Sequence, residues 1–188
     1  MASSVKDVIM EIVREVDECL GKVRQESIEQ ALPQISGAKR VFLAGSGRSA
    51  LGIRGFAMRL MHLGMDAHLV GETTTPPICA GDCLIIGSGS GRTPSLVAVA
   101  ERANAIGTKI VLFTIDANSP IAAQAHTIVH IPAISPKARN SPRGQSLQPM
   151  GSLFEQCLFL LLDALVLTLM RQNNVSAAEM FKRHANLE

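Results

Sequence analysis

Five short runs of nearly continuous apolar residues constrain this chain more than any other feature. Residues 40–44, 67–70, 83–86, 110–115 and 127–131 read as strands, and helices are predicted over 49–63, 94–106 and, briefly, 120–125. A strand that is apolar at successive positions must be covered on both faces, and parallel neighbours need crossover connections. The alternation therefore predicts an α/β fold: a doubly wound, five-stranded parallel sheet with helices on both faces.

The flanks differ from this core. Residues 4–31 carry Val5, Val8, Ile9, Ile12, Val13, Val16, Leu20 and Val23 at three-to-four spacing, which predicts one amphipathic helix ended by Pro33 and lying ahead of the core. Residues 132–150 hold four prolines and the cations Lys137, Arg139 and Arg143, so they form either a flexible connection or a lid over a site. Two further helices, 153–172 and 177–184, follow with Asn173 and Asn174 as the break. At 188 residues the expected organisation is one domain: an N-terminal helix (1–35), an α/β core with its loop (36–150) and C-terminal helices (151–188).

Composition narrows the partners. Aromatic residues are 3% of the chain, with no Trp or Tyr, and the formal net charge is +2, which argues against stacking platforms and a polyanion-binding surface. Nucleic acid is not expected as a partner. Glu155 and Asp163 interrupt the apolar stretch 153–170, so a buried helix at a subunit contact fits it better than a membrane span. No secretory signal is visible, and Cys19, Cys79, Cys83 and Cys157 lack the second close pair or nearby His of a zinc site. The expectation is a cytoplasmic protein with free thiols, no metal and no membrane partner. The apolar surface of the two flanking helices exceeds what five strands can cover, which predicts a homo-oligomer, a dimer or tetramer.

The chemistry concentrates in two turns. Ser88-Gly-Ser-Gly-Arg-Thr93 leaves the third strand and opens the helix 94–106, so glycine, three hydroxyls and a cation meet unpaired helix N–H groups. Gly45-Ser-Gly-Arg-Ser49 repeats the same grammar after the first strand. An ordinary Ser- or Thr-capped loop has similar content; the repetition places both turns at one crevice beyond adjacent strand ends. Neither is a dinucleotide fingerprint or a nucleoside-triphosphate loop, because the third Gly and the Lys are missing. The candidate anion ligands are Ser46, Gly47, Arg48 and Ser49 from the first turn, and Ser88, Gly89, Ser90, Gly91, Arg92 and Thr93 from the second. Arg54 and Arg59 read as solvated helix residues.

Two carboxylates are candidates for proton transfer. Glu155 lies among Leu153, Phe154, Leu158 and Phe159; burial would tune it as a base, whereas an Arg partner or an exposed first turn would make it structural. Glu72, in Val70-Gly-Glu-Thr-Thr-Thr75, either lines the crevice or is a lone loop acid. His184, in Lys182-Arg-His-Ala-Asn186, reads as an exposed C-terminal histidine.

The two turns, with Phe56-Ala-Met-Arg-Leu-Met-His-Leu-Gly64, Val70-Gly-Glu-Thr-Thr-Thr-Pro76, Pro149-Met-Gly-Ser-Leu-Phe-Glu155 and Lys182-Arg-His-Ala-Asn-Leu187, resemble the sugar isomerase (SIS) domain family, and within it the branch acting on 3-hexulose 6-phosphates. The resemblance runs from about Val5 to the C-terminus and implies a flavodoxin-like SIS fold. It implies conversion of D-arabino-3-hexulose 6-phosphate to D-fructose 6-phosphate through an enediol, in the ribulose monophosphate pathway of formaldehyde fixation. It further implies no cofactor, and a 3-hexulose-6-phosphate synthase as functional partner. Ser88, Ser90 and Thr93 would hold the phosphate beside Arg48 and Ser49, Glu155 would move the proton, Glu72 would be a second-choice acid, and His184 would enter from a neighbouring subunit to assist ring opening.

Two other outcomes stay open at this point. One is another SIS isomerase acting on an aldose phosphate such as arabinose 5-phosphate. The other is a non-catalytic sugar-phosphate sensor of the kind attached to DNA-binding domains, against which a single long N-terminal helix leaves no helix-turn-helix.

Overall fold

In the computed structural model, which describes residues 4–187, the apolar runs form one all-parallel sheet. Its strands are β1 (Val41–Gly45), β2 (Ala67–Leu69), β3 (Cys83–Gly87), β4 (Lys109–Thr114) and β5 (Thr127–His130), in the order β2-β1-β3-β4-β5. This is the expected doubly wound topology. Side chains alternate between two cores: Val41, Leu43, Cys83, Ile85, Val111 and Phe113 face one, while Phe42, Ala44, Leu84, Ile86, Ile110 and Leu112 face the other.

Helices α1 (Val5–Leu20), α2 (Gln25–Ser36), α3 (Gly47–His62) and α5 (Ser152–Gln172) supply the larger core. Helix α4 (Pro94–Ile106) and a 3₁₀ turn (Ala122–Gln124) cover the opposite face. The crossover from β2 to β3 has no helix and is made by a loop. The chain closes with α6 (Ala177–Phe181), which stops short of the expected 177–184.

The expected single N-terminal helix is two. Gly21 stands at the C-cap of α1, and its N–H returns to Asp17 O. Pro33 does not end the second helix but lies inside it on the exposed side, where the carbonyl left without a donor can be hydrated. This half also belongs to the core, because Ala31, Leu32 and Ile35 are buried beneath the sheet. A turn between two helices is thus present, but α2 has its apolar face committed to the sheet.

Helix α5 is long and apolar enough by composition to cross a membrane, yet half of that apolar window is buried inside the protein. Leu158, Leu162, Leu165 and Leu169 recur at three-to-four spacing and each is at most 2% exposed. They fix the helix against α3 and α1. Residues 132–150 contain no helix or strand and run from β5 to α5.

Candidate active site

The sheet order reverses between β1 and β3, where connections leave in opposite directions, and the carboxyl ends of these strands pair Gly45 with Gly87. The two Gly/Ser turns therefore meet. They line a cleft of ≈ 210 Å³ with Ser46, Gly47, Arg48 and Ser49 on one side and Gly87, Ser88, Gly89, Ser90 and Thr93 on the other. Gly151, Phe154 and Glu155, at the start of α5, form the third wall, and Ser135 and Lys137 form the fourth.

Three helix N-termini converge here without side-chain caps. Ser46, Thr93 and Gly151 are the N-cap residues of α3, α4 and α5, and none makes a side-chain capping hydrogen bond. Their first-turn N–H groups and the positive ends of the helix dipoles are left for an anion. Gly47 starts α3 at φ +57°, a left-handed conformation, while a Cβ there would meet no atom; backbone conformation, and not space, requires glycine.

The Ser88–Thr93 turn is held from within. Ser88 Oγ accepts the Gly91 N–H at 3.2 Å, Ser90 Oγ accepts the Arg92 N–H at 3.3 Å, and Gly89 O accepts from Thr114 Oγ1 at 3.1 Å. Gly91 has φ +60°, and a Cβ there would collide with Ser119 Oγ. Its amide is already used by Ser88, and Gly91 does not line the cleft.

Arg92 corrects the sequence reading. Its guanidinium turns away from the cleft and donates to Asp116 Oδ2 at 2.9 Å and to Asn118 O at 3.4 Å. Asp116 is fully buried and also accepts from Asn140 Nδ2 at 2.6 Å and from the Asn118 N–H at 3.0 Å. Burial pushes this carboxyl up, but the Asn140, Arg92 and Asn118 hydrogen bonds outweigh it and hold the pKa below the ordinary 3.8. Arg92 is a structural cation that steadies the turn. Lys137 supplies the cleft cation that sequence reasoning missed. A cation in an aperiodic, proline-rich stretch directly before the Glu155 helix was the available signal.

Glu155 is 17% exposed and accepts from Arg48 Nε at 2.6 Å. Among the described residues it is the only carboxylate lining the cleft. Glu72 lies elsewhere, paired at the surface with Arg54 at 3.2 Å. His184 lies on a separate, largely apolar groove between α3, α5 and α6, its ring 5.5 Å from that of His62, and is no part of this chain's own cleft.

This arrangement, uncapped helix N-termini beside a held carboxylate at the switch point of a parallel sheet, is that of an α/β protein able to receive an anion next to a proton-accepting group. The SIS domain model matches residues 34–160, and the chain belongs to that family. It is 42% identical over 182 residues to the 3-hexulose-6-phosphate isomerase of Bacillus subtilis, covering 97% of this chain and 98% of that protein. It is 45% identical to the 3-hexulose-6-phosphate isomerase of Mycobacterium gastri, covering 93% and 86%. A Methanococcus jannaschii structure described as inferring a 3-hexulose-6-phosphate isomerase function superposes with a TM-score of 0.84 at 32% identity, covering 97% of this chain and 99% of that one.

Proposed function

We propose that this chain is a cytoplasmic isomerase that interconverts D-arabino-3-hexulose 6-phosphate and D-fructose 6-phosphate. Glu155 carries the reading: among the described residues it is the one cleft carboxylate, placed at a helix start within reach of a ligand seated on the uncapped N-termini. The relatives' activity supports the substrate. The phosphate sits on the Ser88–Thr93 turn at the α4 N-terminus, with Ser46 and Ser49 of α3 beside it.

In the reaction Glu155 removes the proton from C2, an enediol forms across C2 and C3, and the proton returns at C3, leaving the carbonyl at C2. The proton moves within the substrate carbon skeleton, so the chemistry itself needs no cofactor. Arg48 orients the carboxylate, and phosphate binding supplies remote energy that holds C2 against it.

The reading places the enzyme in the ribulose monophosphate pathway, downstream of a 3-hexulose-6-phosphate synthase that supplies the substrate. The exposed apolar side chains Val5, Ile9 and Val13 on α1, and Phe159, Leu160 and Leu167 on α5, support a homo-oligomer, a dimer or tetramer. In such an assembly His184 enters a neighbouring cleft. The test is an assay of the purified protein for fructose 6-phosphate formed from 3-hexulose 6-phosphate, with arabinose 5-phosphate as the competing substrate. Turnover of arabinose 5-phosphate alone, or sugar-phosphate binding with no turnover, overturns it.

A further inference from the structure

We infer that Lys137 is a catalytic residue of this cleft, donating from its ammonium group to the substrate oxygen that gains charge as the enediolate forms. The inference rests on the isomerase reading above and assigns a role that reading leaves empty. Among the described residues two cations line the cleft, Arg48 and Lys137. Arg48 is committed to Glu155 at 2.6 Å. The Lys137 ammonium has no ion-pair partner among the described residues.

Lys137 is not a residue on a loose loop. Ser135 donates its N–H to Ser141 Oγ at 2.8 Å, and Ser135 Oγ accepts the Lys137 N–H at 3.3 Å. The Ala138 N–H returns to Ser135 O at 3.3 Å, and Ala138 is 7% exposed in the core. Asn140 then ties the turn to the buried Asp116 carboxylate at 2.6 Å. Lys137 is the exposed tip between these anchors, so its backbone is held on both sides while its side chain is left to reach into the cleft. A solvated lysine on an otherwise unattached connection would show none of this.

The wall that carries it stands at the Glu155 end. The position a Gly151 Cβ would occupy is 3.3 Å from Glu155 Oε1 and 4.0 Å from Ser135 Oγ. Lys137, two residues on from Ser135, lines the same cleft as the base, and on this inference its ammonium reaches the reacting carbons from that wall. When Glu155 takes the C2 proton, the C–H electron pair becomes the C2–C3 double bond and the carbonyl pair moves onto O3. O3 then carries the negative charge that the ammonium meets. The O2 hydroxyl proton passes to O3 and Glu155 returns its proton to C3, so the atoms balance and Lys137 ends as it began. A donor fixed where charge develops acts on kcat more than on ground-state binding.

The test compares steady-state kinetics of the wild type, Lys137→Met, Lys137→Arg and Asn140→Ala, with inorganic phosphate as a competitive inhibitor. Lys137→Met is expected to lower kcat by about 10²-fold, the scale of one lost oxyanion donor, while KM and the phosphate inhibition constant stay near wild type. Lys137→Arg recovers part of the loss, and Asn140→Ala, which frees the turn without touching the ammonium, gives a smaller fall in kcat. Unchanged kcat in Lys137→Met overturns the inference. So does a rise in KM and in the phosphate inhibition constant at constant kcat, which makes Lys137 a phosphate ligand. A wild type without turnover overturns the isomerase reading and this one with it, whereas an active wild type beside an equally active Lys137→Met overturns this one alone.

Discussion

Arg48 Nε donates to Glu155 Oε2 across 2.6 Å and so joins the start of α3 to the first turn of α5, two elements 107 residues apart in sequence. The Arg48 side chain is 60% exposed while that of Glu155 is 17% exposed, so the pair sits at a mouth and not in a core. A bond between such groups adds little to stability. Its consequence is geometric, because the carboxylate is held at one point of the cleft wall.

Glu155→Gln keeps size and hydrogen bonding but cannot take a proton. The variant is expected to lose roughly 10²–10⁴ in kcat with KM little changed. Arg48→Met leaves the carboxylate present but unheld, and is expected to lose less. Assays of both variants under saturating substrate check this, and near wild-type kcat in Glu155→Gln would move the base to another residue.

Thr93 is the N-cap of α4, yet its hydroxyl makes no capping bond. A Thr cap in ordinary use costs about 1 kcal/mol of stability when removed. Thr93→Val is therefore expected to leave the melting temperature nearly unchanged while weakening phosphate binding by about 1–3 kcal/mol, read as a rise in KM. Thermal melts set beside kinetics separate the two, and a large loss of stability with unchanged KM would make the hydroxyl structural.

How far the sequence carried depended on whether a signal was periodic. The strands were legible because each is a short, mostly apolar run, and α4 was found at its observed bounds because Pro94 starts it and Gly107, at φ +84°, ends it. The break at Gly21 was missed because the apolar spacing runs on through it, and Pro33 drew the boundary instead. In the site, the meeting of the two turns was legible from their shared grammar. The direction of Arg92 was not, since its partner Asp116 comes from the loop just beyond the next strand, β4. Lys137 escaped for a related reason: in a stretch without a period, spacing cannot say which side chain faces inward.

Asp116 and Asp82 are two buried carboxylates with depressed pKa values. For Asp82, burial acts upward, but the Arg40 guanidinium, at 3.2 and 2.8 Å, and the Cys79 N–H outweigh it. A carboxyl depressed on folding adds stability that is present above the ordinary 3.8 and lost as pH falls through the folded value. Urea unfolding along an acid series is expected to show this loss below about pH 4. Asp116→Ala strands Arg92 and should cost about 3 kcal/mol near neutral pH, because a partly buried cation loses its partner. A cost under about 1 kcal/mol would show that water replaces the carboxylate.

The apolar stripe Val5, Ile9 and Val13 on α1 has spacing four and is left in solvent by this chain alone. Light scattering of the purified protein at micromolar concentration is expected to give a dimer or tetramer. Val13→Lys should shift the population toward smaller species, and a wild-type monomer would refute the assembly.

His62 gives a separate signature, nearer neutral pH, that is also lost on acidification. It is 3% exposed, and its Nδ1 lies 3.3 Å from Arg59 Nη1; a guanidinium can only donate, so Nδ1 accepts and the ring is neutral. Burial, then the Arg59 charge, then the His184 ring nearby, all push its pKa below the ordinary 6.5. In the unfolded chain the ring takes up a proton as pH falls through 6.5, while in the folded protein it resists. The unfolded state thus binds more protons, and stability present above 6.5 is lost as pH falls toward the folded value. One proton limits the slope to about 1.4 kcal/mol per pH unit. Urea midpoints measured from about pH 7.5 to about pH 5.5 should fall in the wild type and fall less in His62→Gln, which keeps a hydrogen-bonding side chain but cannot titrate. Equal slopes in the two proteins would assign the loss to other groups, with His126, whose pKa burial and then the Lys109 charge also lower, as the next residue to measure.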